Sequence, residues 1–145
     1  MLKIRQHLVD AMVAHCSAEH PIEACGVLPG PIGGDIPDRI VPMVNTERSS
    51  VLYRFDPDEQ LAVWTRMATQ REWPVVIYHS HTGSRAYPSK TDAVFATLPE
   101  AHYVVVSTRD PEAVEVRSFR IVGGEVEEEP VEVEAGRSGA RRRID

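Results

Sequence analysis

Residues 74–96 read PVVIYHSHTGSRAYPSKTDAVFA, and the reading of this stretch decides the fold. Val75, Val76, Ile77 and Tyr78 are a short apolar run with three β-branched members, which predicts a buried strand. The run leads directly into His79-Ser80-His81. Thr82 to Pro88 reads as a loop, and Ser89 begins a short helix to about Leu98.

Upstream, Ile4, Leu8, Met12, Val13 and Cys16 have helical spacing and predict a helix over 4–19. Ala24 to Leu28 reads as a buried strand. Pro29 to Pro37 holds three glycines and three prolines and reads as a loop. Arg39 to Asn45 alternates weakly, as a second strand would. Asp56-Pro57-Asp58-Glu59 is a helix start, with Asp56 as N-cap, Pro57 at the first helical position and Glu59 completing a capping box. Leu61, Trp64, Ala68 and Met67 form the expected buried stripe to about Arg71, and Pro74 ends the helix.

Downstream, Ala101 to Thr108 is a strand and Arg109-Asp110-Pro111 a turn. Val114 to Val122 and Glu125 to Glu134 alternate around Gly123-Gly124, which predicts a hairpin. Strands cluster rather than alternate with helices. The expected fold is therefore α/β, a mixed sheet flanked by helices and not a doubly wound parallel one.

At 145 residues the chain is the size of one domain, large enough to bury about two-thirds of its unfolded surface. Residues 1–134 are expected to form it, and the last eleven, 135–145 (AGRSGARRRID), read as a disordered basic tail. The net charge of −6 argues against nucleic-acid binding. No apolar run approaches the roughly 20 residues of a membrane span, and the N-terminus does not resemble a signal peptide. Cys16 and Cys25 do not make a disulfide framework, so they are expected as free thiols in the cytoplasm. Nothing in the sequence sets the oligomeric state, and a homodimer stays open.

His79 and His81 lie two apart at the end of a strand, so both face one side with Cα atoms about 6.6 Å apart. Two imidazoles can then converge on one ion, and Asp92 can reach it from the first turn of the next helix. Three protein ligands leave a fourth position for water, the pattern of catalytic zinc. Each half also has an ordinary reading. A lone His-x-His usually makes surface hydrogen bonds, and Ser89-Lys90-Thr91-Asp92 looks like a helix cap. The full spacing would arise by chance in roughly one chain of this composition in a thousand.

His79-Ser80-His81, a seven-residue spacer, Ser89 and Asp92, with Glu23 upstream, resemble the signature of the JAMM (MPN-plus) metallopeptidases. The resemblance covers nearly the whole chain. It implies a mixed, curved sheet of the cytidine-deaminase-like kind and one zinc ion. It also implies Glu23 as general base, a residue that would otherwise read as a solvated acid. Ser89 is assigned to oxyanion stabilisation. Ser80 should face the opposite side, with no catalytic role. Cys25 is a candidate thiolate ligand or nucleophile, but buried free cysteine is the commoner state. His7, His15, His20 and His102 read as structural.

HPIEACGVLPG, VIYHSHT and AYPSKTDAVFAT are similar to the small bacterial branch that acts on sulfur-carrier proteins. This implies a ubiquitin-like carrier with a C-terminal Gly-Gly bearing cysteine as partner. Cleavage after the last glycine would release cysteine for its biosynthesis. The absence of long insertions suits a small carrier with an extended tail. Arg54, Arg85 and Lys90 are candidates to bind the cysteine carboxylate. Two other readings stay open: an isopeptidase that removes another ubiquitin-like protein from lysine or trims a carrier, and a non-catalytic interaction module.

Overall fold

The computed structural model describes residues 1–135. Its elements are β1 (Leu2–Arg5), α1 (Gln6–Glu19), β2 (Cys25–Pro31), β3 (Val41–Met43), α2 (Pro57–Thr69), β4 (Glu72–His81), α3 (Lys90–Phe95), β5 (His102–Ser107), β6 (Glu115–Val122), β7 (Glu125–Glu129) and β8 (Val131–Glu134). The tail expected over 135–145 lies, from residue 136 onward, outside the described residues. No helix among the described residues is long and apolar enough to cross a membrane.

An open six-stranded sheet has the order β3-β2-β4-β5-β6-β7. It is mixed: β4 and β5 run parallel and every other neighbouring pair is antiparallel. The parallel pair requires a crossover, and α3 lies within it. The histidines thus fall at the C-terminal end of a central strand.

The period-two alternation of β4 sorts its side chains to two faces. Val76 and Tyr78 join Leu28, Val104 and Val106 beneath Leu8, Met12 and Cys16 of α1. Ile77 faces the other way with Cys25, Val27 and Val105, against Val63 and Trp64 of α2 and Ala93 of α3. Tyr78 also explains Gly26 opposite it: a Cβ there would stand 2.5 Å from the tyrosine Oη.

Several expectations need correction. The first helix begins at Gln6, because Leu2–Arg5 pairs in parallel with Val131–Glu134. That pairing also divides the anticipated 125–134 strand. Pro130 separates β7 from β8, which leaves the large sheet for the two-stranded one. Strand β2 continues through Pro29-Gly30-Pro31 after a register shift at Leu28/Pro29, where a missing N–H is tolerated. In α2 the inward face is Gln60, Val63, Trp64 and Met67, while Leu61 is 68% exposed and Ala68 is exposed. The helical period is as expected but rotated by one position. Asp56 accepts from the Glu59 N–H at 2.8 Å, yet the Glu59 carboxylate accepts from Val44 N–H instead of closing the box. Arg71, at φ 57, turns the chain into β4, which begins at Glu72, ahead of Pro74. Helix α3 stops at Phe95, short of Leu98.

Candidate metal centre

Strand β4 delivers His79 and His81 to one face, and α3 brings Asp92 to meet them. The two Nε2 atoms are 3.2 Å apart, and each is 3.0 Å from Asp92 Oδ2. These three are the one group of His, Cys, Asp or Glu side chains among the described residues that could hold a metal ion. Asp92 is aimed by its own helix cap. Its Oδ2 accepts from the Ser89 N–H at 2.8 Å, while Ser89 Oγ accepts from the Asp92 N–H at 3.0 Å. The cap reading of Ser-x-x-Asp is thus realised, and the same Asp92 oxygen that closes the box faces both histidines.

The donor set fits a cation. His81 Nδ1 lies 3.0 Å from the Arg85 carbonyl, which only accepts, so Nδ1 carries the proton. In the neutral ring, Nε2 then presents a lone pair to a carboxylate oxygen. Two acceptors at this distance repel unless the ring is protonated or a cation lies between them. The triangle's edges are also close to the about 3.3–3.4 Å that ligands at zinc distances span in a tetrahedron. Burial pushes the Asp92 carboxyl up, but the His79 and His81 contacts outweigh it and hold it well below the usual carboxylate range.

Glu23 lies two residues before β2, whose pairing begins at Cys25. Cys25 pairs with His79, and Ser80 N–H donates to Ala24 O at 3.0 Å, which carries the preceding Glu23 toward the His81 end of β4. It is only 4% exposed, and its Oε1 has no hydrogen-bond partner. Burial pushes its pKa to about 8, with the His81 charge lowering it and Asp92 raising it. An unpartnered carboxylate oxygen beside a donor triangle is a second sign that a positive charge belongs here. A bound cation would pull the carboxyl back toward its ionised form.

Ser80 faces the opposite side, where its Oγ accepts from the Ala24 N–H at 2.8 Å. Cys25 is buried with Sγ against the Met43 carbonyl, and burial pushes its thiol to about 12. It is absent from the ligand group, and its burial disfavours the thiolate. His15 bonds to Tyr78 Oη, His20 to Thr108 Oγ1, and His102 lies between Glu129 and Asp35 at the other end of β5.

A cavity of about 310 Å³ opens beside Asp92, lined by Tyr53, Arg54, Phe55, Trp64 and Phe95 among others. Tyr53 stacks on the His79 ring at 4.5 Å between centroids, a contact that no local sequence pattern announced. Of the three candidate cations, Arg54 lines this cavity, with its guanidinium 5.6 Å from the centre of the Phe95 ring and its Nε 3.3 Å from Glu47. Arg85 lies over Tyr87 and lines a separate small cavity. Lys90 is exposed at the first position of α3.

A family model described as prokaryotic homologs of the JAB domain matches residues 5–122. The chain is 61% identical over 133 residues to the CysO-cysteine peptidase of Mycobacterium tuberculosis, covering 92% of this chain and 91% of that one. The solution structure of protein DSY2949 from Desulfitobacterium hafniense superposes with a TM-score of 0.82 at 30% identity, covering 94% of both chains. A structure described as "JAMM: A Metalloprotease-like Zinc Site in the Proteasome and Signalosome" shares the fold, with a TM-score of 0.55 at 19% identity over 92% of this chain and 98% of the other.

Proposed function

The chain belongs to the family of prokaryotic homologs of the JAB domain and is a hydrolase, and from that premise we propose that residues 1–134 form a zinc peptidase domain specific for a carrier–cysteine amide. The bond cut joins the C-terminal glycine of a ubiquitin-like sulfur carrier to cysteine. Its hydrolysis frees cysteine for biosynthesis and regenerates the carrier. The observation that carries this reading is the His79–His81–Asp92 triangle facing buried Glu23, in a chain 61% identical to a peptidase named for that substrate. We place the reaction in the cytoplasm, where free thiols such as Cys16 and Cys25 stay reduced.

His79, His81 and Asp92 would hold one zinc ion. Bound there, zinc supplies a Lewis acid for the scissile carbonyl and lowers the pKa of water to about 7. Glu23 takes the proton of the attacking water and passes it to the departing amine nitrogen. Ser89 Oγ already accepts from the Asp92 N–H, which leaves its own hydrogen free for the oxygen where negative charge develops. Tyr53 holds the His79 ring by stacking on it.

Mass spectrometry of carrier adducts tests the specificity. An adduct through cysteine should lose one cysteine, while adducts through a lysine side chain or a following peptide should persist. Equal turnover of all three would remove the cysteine-specific claim, and preference for the lysine adduct would make the protein an isopeptidase.

Arg54 is the cation best placed for the cysteine carboxylate. Arg54→Ala should raise KM for the cysteinyl carrier roughly tenfold, the loss of one charge-assisted hydrogen bond. The adduct of cysteine amide, which lacks that carboxylate, should be unaffected. Unchanged KM for the cysteinyl carrier would remove Arg54 from the site.

A further inference from the structure

Glu23 is aimed by its backbone, since the buried Oε1 has no partner to fix it. Its N–H donates to Ser49 O at 2.9 Å. Its carbonyl accepts from Asn45 Nδ2 at 3.0 Å. Asn45 is 7% exposed and lies in the loop between β3 and α2. The second proton of the same Nδ2 goes to Leu52 O at 2.9 Å. Its Oδ1 accepts from Glu47 N at 3.0 Å and Arg54 N at 3.1 Å.

A carboxamide has two donor hydrogens and two acceptor lone pairs, and here all four bond to backbone. Leu52 and Arg54 flank Tyr53, the residue stacked on His79. One buried side chain therefore ties the backbone of the general base to the segment that packs against a metal ligand. Neither a carboxylate nor a hydroxyl of similar size supplies two donors together with two acceptors. We propose that Asn45 is a positioning residue, which sets where the Glu23 carboxylate stands over the His79–His81–Asp92 triangle by cross-linking Glu23 to the 47–54 loop.

The inference rests on the peptidase reading above and is tested beside it. Asn45→Asp keeps the size and the acceptors but loses both donors. With carrier–cysteine, its kcat should fall about 10- to 100-fold, the effect of a misplacement near 1 Å. KM should change less than about threefold, because ground-state binding is untouched. Zinc stoichiometry should match wild type. In the Glu23→Gln background, assayed over long single turnovers, the same substitution should cost almost nothing further, because its effect passes through Glu23. An equal loss in both backgrounds, or an unchanged kcat in the single variant, overturns the role. If wild type itself leaves the adduct intact, the peptidase reading fails. A crystal structure of Asn45→Asp beside wild type then decides the positioning role alone: a displaced Glu23 carboxylate supports it and an unmoved one overturns it. Asn45→Ser, which leaves one donor on a shorter side chain and adds no charge, so that it cannot bond both Glu23 O and Leu52 O, serves for both measurements if the aspartate variant does not fold.

Discussion

Glu23→Gln is expected to lower kcat for the carrier–cysteine adduct about 10³-fold, within the range for loss of a general base. One zinc per chain should remain, because the ligand atoms belong to His79, His81 and Asp92. A glutamine is nearly isosteric but cannot take the proton of the attacking water. The same substitution should stabilise the metal-free protein at alkaline pH. The Glu23 carboxyl, raised from 4.5 to about 8 by burial, keeps its proton in the fold where the unfolded chain has lost it. Between those values the folded state binds more protons, so stability falls as pH rises from about 4.5 to about 8. Glutamine removes that dependence. Above pH 8 the metal-free variant should exceed metal-free wild type by on the order of a few kcal/mol. Urea melts of both proteins at pH 5 and pH 8.5, with chelator present, measure it. Retained activity, or parallel stability profiles, would remove Glu23 from the role of buried base.

Removing the metal should have an equally large effect. Chelation should abolish turnover, and added zinc should restore it. His81→Ala should lower zinc affinity by more than about 100-fold, beyond the loss typical of an outer-sphere partner. It removes one corner of a triangle whose edges are 3.0–3.2 Å. His102→Ala is the matching control: it deletes a buried histidine with two carboxylate partners at the other end of β5. That variant should lose stability and keep its zinc stoichiometry. Thermal melts add a reading independent of substrate, because a ligand that binds only the folded state raises the melting temperature by mass action. Wild type should gain on zinc addition, and His81→Ala should not. Full activity in zinc-free wild type would falsify the metal reading.

The residues of the candidate centre were legible in the chain to different degrees. His79 and His81 stand two apart on a strand, and Asp92 lies in the first turn of the next helix. Strand and helix periods place these side chains without knowledge of the rest of the molecule. Glu23 was visible only through resemblance, because 56 residues separate it from His79 and no local period relates them. The antiparallel register of β2 on β4 brings them together, with Cys25 opposite His79.

Local chemistry likewise determined the α2 start at Asp56-Pro57, the strand before the histidines, and the turn at Gly123-Gly124, where φ is 59 and 83. Each depends on neighbours in sequence. The chain alone could not decide which side of α2 turns inward, since 61–64–68 and 60–63–64–67 both satisfy a helical period. The sheet it packs on chose the second. Nor could it reveal that residues 2–5 would extend against 131–134, because that pairing joins opposite ends of the chain. Asn45 and Tyr53 belong to the same class. Asparagine in a loop is ordinary: three of its backbone bonds close within the 45–54 loop, and the fourth, to Glu23 O, exists only after that loop has met the segment before β2. The sequence by itself thus determined how His79, His81 and Asp92 sit on their own strand and helix and most of the element types, which follow from short-range periodicity. Only the tertiary structure decided where Glu23 sits and that Asn45 bonds to its carbonyl, because those depend on strand register and loop closure between distant residues.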